Sequence, residues 1–244
     1  MRILVTNDDG IYSEGLKILV EFARKLGEVV VVAPKSEQSA KSHSINLRCG
    51  VESKKVALFE GIDAYYVDSS PADCVRFAYY YLKEKIDIVF SGINKGYNLG
   101  QDIMYSGTVA ATTEAASLNI KAIAFSTHYE SFNTAINYIE KVYKYIIDNK
   151  LLDDWHFYNV NFPLVYNNKE NNILFTQMGE CNFETWFEKD GDMYFQTGSA
   201  CFEEDINKIY FDTAAIMNGY ISITPLTFDR TNFDVLKKLR NKTK

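Results

Sequence analysis

The sequence predicts an α/β protein built on a doubly wound, mostly parallel sheet. Two observations support this: short apolar runs alternate with helical patterns over the first two-thirds of the chain, and several of these runs are apolar throughout. Glu28 to Ala33 (EVVVVA) is the clearest run, and unbroken β-branched residues are typical of a parallel strand that is covered on both faces. Such alternation implies right-handed crossovers with helices on both sides of the sheet.

Each element has its own local signals. Residues 2–7 predict a buried strand, and the next helix has Ser13 as its N-cap and Gly27 just beyond its end. Pro71 suits the first position of a helix, where its missing N–H costs nothing. The other predicted helices are 71–84, 108–118, 132–149 and 230–240, and the other predicted strands or extended segments are 28–33, 56–67, 86–90, 121–125 and 220–224.

Residues 164–212 differ from the rest of the chain. They are rich in asparagine and aromatic residues, and Glu188 to Asp192 (EKDGD) predicts a hairpin turn. We expect a β-rich excursion from the main sheet here. Neither a repeat nor a low-complexity linker marks a domain boundary, so residues 1–244 are expected to form a single domain.

Composition restricts the partners and the compartment. The net charge of −6 gives no basic field for duplex nucleic acid, and no apolar run is long enough to span a membrane. The first apolar run is too short and too soon acidic for a signal peptide. The four cysteines are scattered without a C-x-x-C pair, which fits reduced thiols better than disulfides or a zinc site. These features predict a cytoplasmic protein.

Two adjacent carboxylates, Asp8 and Asp9, follow the first predicted strand. Successive side chains of a strand point to opposite faces, so the pair can share a target only if the backbone turns, which Gly10 permits. The two carboxylates repel each other unless a cation or a proton lies between them, and a hard divalent metal meets that need. A plain surface turn is the alternative, because Asn-Asp-Asp-Gly is also common in turns.

Two more loops are predicted beyond the carboxyl ends of strands, where open parallel sheets bind ligands. Residues 34–46 (PKSEQSAKSHSIN) are crowded with hydroxyl and amide side chains, and residues 91–107 (SGINKGYNLGQDIMYSG) contain Asn94, Asn98 and Asp102. An all-oxygen set of ligands selects Mg²⁺, Mn²⁺ or Ca²⁺ over Zn²⁺. Taken singly, Ser39 and Asn94 fit ordinary loop capping equally well.

The third loop runs directly into a helix of small residues. A glycine before a helix N-terminus presents free N–H groups and the positive end of the helix dipole to an anion. Ser106 and Thr108 add hydroxyl donors, so phosphate is the expected guest, with simple N-capping as the alternative. Lys95 could neutralise phosphate charge or be an ordinary solvated lysine.

Familiar phosphate-binding patterns are absent from the sequence. The chain has neither the G-x-x-x-x-G-K-[ST] loop nor the G-x-G-x-x-G pattern, which disfavours a dehydrogenase or a methyltransferase on the same core. The D-x-D pair of aspartyl-phosphate phosphatases is also missing near Asp8, which disfavours a covalent phospho-aspartate.

Six segments together resemble the survival protein SurE family. They are NDDG, APKSEQSAKSHSI, PADCV, SGINKGYNLGQDIMYSGTVAATTEA, NVNFP and GYISITPL, and the similarity runs from residue 1 to about residue 229. The resemblance implies a Rossmann-like, three-layer α/β/α fold with a projecting β-hairpin and a C-terminal arm. It further implies that both projections are exchanged between subunits of a homodimer or homotetramer, which would make 164–212 an oligomerisation element.

The resemblance also implies an activity and a site. Members of the family are metal-dependent phosphatases of nucleoside 5′- and 3′-monophosphates, and some trim short polyphosphate. One divalent ion per subunit, Mg²⁺ or Mn²⁺, would be held by Asp8, Asp9, Ser39 and Asn94. The implied phosphate and substrate contacts are Asn98, Ser106, Gly107 and Thr108.

Asp8 and Asp9 are also the expected catalytic residues, since either could accept a proton from the attacking water. Ala40 stands where the family commonly has glycine. A non-catalytic protein that binds a nucleotide or another anion on a Rossmann-like core is the alternative function.

Overall fold

The computed structural model describes residues 1–167, 171–202 and 204–242 of the chain. The strands, in chain order, are β1 (Arg2–Thr6), β2 (Glu28–Pro34), β3 (Ser53–Val56), β4 (Asp63–Val67), β5 (Ile88–Lys95), β6 (Lys121–Thr127), β7 (Phe157–Phe162), β8 (Ile173–Phe175), β9 (Cys181–Asp190), β10 (Met193–Phe202) and β11 (Ile221–Pro225). The α-helices are α1 (Glu14–Ala23), α2 (Pro71–Arg76), α3 (Gly107–Ser117), α4 (Asn133–Asp148), α5 (Leu151–Asp154), α6 (Asp212–Met217) and α7 (Phe233–Lys242).

The central sheet has nine strands in the order β3-β4-β2-β1-β5-β6-β7-β11-β8. The β3–β4 and β7–β11 pairs are antiparallel, and the remaining neighbours in the sheet are parallel. The predicted α/β class with a mostly parallel sheet is therefore confirmed.

The order of strands places a switch point beside β1. The chain passes from β1 to β2 on one side and later returns to β5 on the other side. Crossovers that leave a strand in opposite directions open a crevice at the carboxyl ends of the strands. The loops after β1 and β5 therefore lie side by side, and the loop after β2 flanks them.

Helices cover both faces of the sheet. Ile3 and Val5 of β1 belong to one buried cluster with residues of α1 and α4, whereas Leu4 belongs to a second cluster with residues of α2 and α3. Alternate residues of a strand point to opposite faces, so a continuous apolar run serves two cores at once. The result is the expected three-layer arrangement.

Helix α1 begins as predicted but ends early. The Ser13 side chain caps it by accepting a hydrogen bond from the backbone N–H of Leu16 at 3.4 Å. Its last residue is Ala23, so Gly27 does not end the helix as predicted. A Cβ at Gly27 would lie 2.3 Å from the carbonyl oxygen of Met1, so glycine allows the two chain segments to approach closely.

The helix predicted over 71–84 is divided into two parts. Helix α2 spans Pro71–Arg76 and continues as a π-helical segment over Phe77–Tyr81. The backbone N–H of Leu82 donates to the carbonyl of Phe77 at 3.1 Å, which is the wider π-type spacing. This turn brings the rings of Phe77 and Tyr81 to a centroid distance of 4.8 Å.

The predicted β-rich excursion is present as the antiparallel pair β9–β10, which forms a sheet separate from the central one. Its turn contains Gly191, at φ +59°, inside the predicted hairpin segment. The same region also contains β8, which lies at the edge of the central sheet, and α6 begins at its last residue, Asp212; the sequence pattern predicted neither element. Helix α7 has no buried residue. In the part of the chain that the structure describes, no helix has the length and apolar character needed to cross a membrane.

Candidate active site

A small open pocket of about 210 Å³ lies at the carboxyl ends of β1, β2 and β5. Six of the predicted site residues line it together: Asp8, Asp9, Ser39, Asn94, Asn98 and Ser106. The other two, Gly107 and Thr108, contact Asp8 from behind. All the residues singled out from three separate loops therefore meet in one place.

The turn after β1 is held by Asn7. Its amide nitrogen donates to the Ser13 hydroxyl at 2.6 Å and to the Gly10 carbonyl at 3.1 Å, and its amide oxygen accepts from the Gly10 N–H at 3.2 Å. Gly10 adopts φ +98°, a conformation that glycine tolerates and other residues rarely adopt. The predicted turn is present, and Asp8 and Asp9 both line the pocket.

The N-terminus of α3 packs directly on Asp8. The Thr108 hydroxyl donates to Asp8 Oδ1 at 2.5 Å. A Cβ at Gly107 would lie 2.8 Å from Asp8 Cβ, so only glycine permits this approach. The Ser106 hydroxyl caps the same helix by accepting from the Val109 N–H at 3.1 Å. The positive end of the helix dipole thus faces a carboxylate.

Both carboxyl groups have raised pKa values. Burial raises the pKa of Asp8, and the Thr108 hydrogen bond opposes this only in part. Burial and the neighbouring charge of Asp8 raise the pKa of Asp9 to about 6, while the Lys95 N–H, 3.4 Å from Asp9 Oδ2, acts in the opposite direction. Negative charge is therefore costly in this pocket, and a bound cation would relieve that cost.

The loop after β2 is tied to both other loops. The Gln38 N–H donates to the Asp8 carbonyl at 2.7 Å, and the Ser42 N–H donates to the Tyr105 carbonyl at 3.0 Å. Between these two anchors the Ser39 hydroxyl donates to Glu37 Oε1 at 2.5 Å. Ala40 adopts φ +56°, in the left-handed region that favours glycine.

Asn94 reaches the pocket through an irregularity in β5. The pairing of β5 with β6 shifts register between Ser91 and Asn94. Gly92 permits this, since a Cβ there would lie 2.3 Å from the Phe125 carbonyl oxygen. The Asn94 amide nitrogen donates to the Gly96 carbonyl at 2.8 Å, so its amide oxygen is the atom that could bind a cation.

Asn98 is held by four hydrogen bonds to neighbouring strands. Its N–H donates to Asn161 Oδ1 at 3.0 Å, and its side chain donates to the Ser126 hydroxyl at 2.8 Å. Its carbonyl accepts from the amide groups of Asn159 and Asn161 at 2.8 and 2.9 Å. The supporting role of these β7 residues was not predicted from the sequence.

Five further residues line the pocket that the sequence did not assign to it: Glu37, Ala40, Lys95, Asp102 and Tyr105. The sequence indicates Lys95 only as a candidate for neutralising phosphate, and Asp102 only as a member of the third loop. Glu37 lies two residues before Ser39, and that proximity is the one signal in the sequence that could have identified it.

The donor atoms suit a hard cation. Within the described residues, no three histidine, cysteine, aspartate or glutamate side chains are grouped so that they could hold a metal ion. A cation here would therefore depend on neutral oxygens as well as on Asp8 and Asp9, and the Ser39 hydroxyl and the Asn94 amide line the same pocket. Carboxylate, hydroxyl and amide oxygens fit Mg²⁺ or Mn²⁺.

Comparison with known proteins gives consistent matches. Residues 3–185 match the family described as Survival protein SurE. A protein of Alkaliphilus metalliredigens named 5′-nucleotidase SurE is 38% identical over 253 residues, covering 99% of this chain and 98% of that protein. A 5′-nucleotidase SurE of Natranaerobius thermophilus is 38% identical over 256 residues, with the same coverage. The crystal structure of the SurE protein from Aquifex aeolicus gives a TM-score of 0.81 at 32% identity, covering 100% of both chains.

Proposed function

The chain belongs to the survival protein SurE family, and from this premise we propose that it hydrolyses nucleoside monophosphates to nucleoside and phosphate. The relatives named 5′-nucleotidase match it over nearly their whole length. The observation that supports the proposal best is the convergence of Asp8, Asp9, Asn94 and Ser106 in one pocket at the switch point of the sheet. The substrates proposed are the 5′- and 3′-monophosphates, and also short polyphosphate.

We propose that Asp8, Asp9, Ser39 and Asn94 hold one divalent ion, Mg²⁺ or Mn²⁺, per subunit. The support is the donor set, which consists of oxygen atoms alone and includes two carboxylates that repel each other when no cation is present. When bound, such an ion supplies positive charge to the phosphate and makes water more acidic.

The protein's own residues position the reactants. The Ser106 hydroxyl and the Gly107 N–H at the start of α3 would hold the phosphate oxygens, and Asn98 would border the substrate. The Thr108 hydroxyl donates to Asp8, so Thr108 would support the site through that carboxylate and not through the expected phosphate contact. Water forms a new bond to phosphorus while the bond from phosphorus to the ester oxygen breaks. Asp8 or Asp9 would accept the proton that the attacking water loses, and the return of a proton to the leaving oxygen gives the nucleoside hydroxyl.

Assembly and location belong to the same proposal. The β9–β10 hairpin exposes Phe187, Tyr194 and Phe195, which suits burial against a second copy in a homodimer or homotetramer.

The thiols of Cys49 and Cys74 form no disulfide, which fits a cytoplasmic location. The single-domain description of residues 1–244 stays a prediction.

The test is an assay of inorganic phosphate after incubation of the protein with AMP and Mn²⁺. We expect release by the wild type, loss on metal chelation, and at least about a 100-fold decrease for Asp8→Asn, which keeps the size of the side chain. A folded wild type that binds AMP but releases no phosphate would support the non-catalytic alternative instead. Full activity of Asp8→Asn would refute the assigned site.

A further inference from the structure

The pocket has an imbalance of charge. Four carboxylates line it: Asp8, Asp9, Glu37 and Asp102. Among the residues that the structure describes, Lys95 is the only lysine or arginine in that lining. A divalent ion would offset only part of the negative charge, and a phosphate monoester would bring nearly two more negative charges at neutral pH. A substrate of this kind therefore needs another positive group to enter the pocket.

Lys95 is placed to provide that group. It is the last residue of β5, where it pairs with Thr127 of β6, so its backbone is fixed by the sheet. Its N–H lies 3.4 Å from Asp9 Oδ2, which sets the residue directly beside the proposed metal ligands. Lys95 is exposed at the pocket and forms no ion pair within 4 Å in the described part of the chain. Its charge nevertheless acts on Asp9, whose pKa is raised by burial and lowered in part by Lys95.

We propose that Lys95 is the phosphate-binding cation of this site and a catalytic residue of the proposed reaction. The inference rests on the proposed function, because it assigns the substrate phosphate as the partner of the ammonium group. A lysine ammonium is a compact charge on a flexible stem, and it can follow an oxygen whose position changes during the reaction. Negative charge spread over the phosphate oxygens in the transition state would then be offset by Lys95 as well as by the bound ion.

The alternative for Lys95 is an ordinary solvated side chain or a structural role in the loop. The two explanations predict different changes in the affinity for anions and for cations when Lys95 is removed. Removing a phosphate-binding cation weakens binding of an anion, and it leaves a divalent cation bound equally or more tightly because a repelling charge is gone. Damage to the loop would weaken the binding of both.

The experiment is calorimetric titration of four proteins: the wild type, Lys95→Ala, Lys95→Arg and the control Lys41→Ala, which removes an exposed lysine from a neighbouring loop. Mn²⁺ is titrated into metal-free protein, and inorganic phosphate into Mn²⁺-loaded protein. For Lys95→Ala we expect phosphate affinity to fall about 10- to 100-fold and Mn²⁺ affinity to stay equal or increase. Lys95→Arg keeps the charge and should recover most of the phosphate affinity, and Lys41→Ala should match the wild type.

Unchanged phosphate affinity in Lys95→Ala would overturn the inference, and so would a parallel loss of Mn²⁺ and phosphate binding. Steady-state hydrolysis of AMP by the same proteins shows whether a negative result concerns Lys95 or the proposed hydrolase function. If the wild type releases no phosphate from AMP, the hydrolase fails, yet a phosphate affinity that depends on Lys95 still establishes the anion site. If AMP is hydrolysed equally well without Lys95, the catalytic role of that residue is refuted while the hydrolase stands.

Discussion

The Thr108 hydroxyl donates a hydrogen bond to Asp8 Oδ1, and the two residues are separated by 100 positions in the sequence. Asp8 follows β1, whereas Thr108 is the second residue of α3. The first proposed metal ligand and the proposed phosphate-binding helix are thus joined directly. A change on either side should disturb the binding of both the cation and the phosphate.

Thr108→Val tests this connection. Valine keeps the shape of threonine but cannot donate, so buried Asp8 loses a partner, at a cost of about 1–3 kcal/mol. We expect weaker Mn²⁺ binding and slower phosphate release, measured by calorimetry and by the AMP assay. Thr113→Val is the matched control, because its hydroxyl bonds only the Val109 carbonyl on the same helix. Equal behaviour of the two variants would contradict the prediction.

Gly107→Ala tests the close packing of α3 on Asp8. The added methyl group would lie 2.8 Å from Asp8 Cβ and 3.1 Å from its Oδ2, so the helix or the carboxylate must move. We expect a loss of stability of about 1–3 kcal/mol and a strong loss of activity. Gly50→Ala serves as the control, since its Cβ would meet nothing within 4 Å. Wild-type kinetics for Gly107→Ala would show that the two groups are further apart than described.

Ala40→Gly tests backbone strain in the pocket wall. Ala40 adopts φ +56°, where an L-residue is strained by about 1–2 kcal/mol and glycine is not. Glycine has more conformational freedom than alanine in the unfolded chain, and this offsets part of the relieved strain. The net gain in unfolding free energy should therefore be about 0.5–1 kcal/mol. Urea unfolding measures this, with Lys83→Gly, at φ +55° and distant from the pocket, as a parallel variant. A loss of stability in both would disprove the explanation by strain.

Glu114→Gln tests the ion pairs of a buried carboxylate in α3. Burial opposes the charge on Glu114, but His43 and Arg76, each 2.8 Å from one of its oxygens, more than compensate and lower its pKa below 4.5. Because the pKa is lower in the folded state, the stabilisation is present above pH 4.5 and is lost as the pH falls through the folded value.

We therefore expect Glu114→Gln to lower the unfolding free energy at pH 7 by about 1–3 kcal/mol. The difference from the wild type should shrink as the pH falls below 4. Urea unfolding of both proteins at several pH values measures this. A difference that does not change with pH would mean that the charge of Glu114 is unimportant.

Local sequence signals were enough for most of the fold and for the meeting of the three loops that form the candidate site. Gly10 predicted the turn that lets Asp8 and Asp9 line one pocket, and Ser13 predicted the start of α1. These features depend on residues within one or two turns of chain, so a single sequence contains their cause. The alternation of strands and helices likewise predicted which loops would meet.

Features that depend on distant partners left no such signal. Asn98 is held by Asn159 and Asn161, more than sixty positions away, and nothing near any of them indicates that pairing. Gly27 predicted a helix end because glycine is common at that position. In the structure, glycine is required there because the Met1 backbone lies too close for a side chain. Helix α6 is short and lies in an irregular region, so no periodic pattern could develop.

The four hydrogen bonds of Asn98 also bear on how the protein loses activity when heated. They anchor one wall of the pocket to β6 and β7 in the interior of the sheet, so that wall can separate only when those strands do. Thermal inactivation should therefore coincide with cooperative melting of the whole domain, without an earlier step in which the pocket alone comes apart.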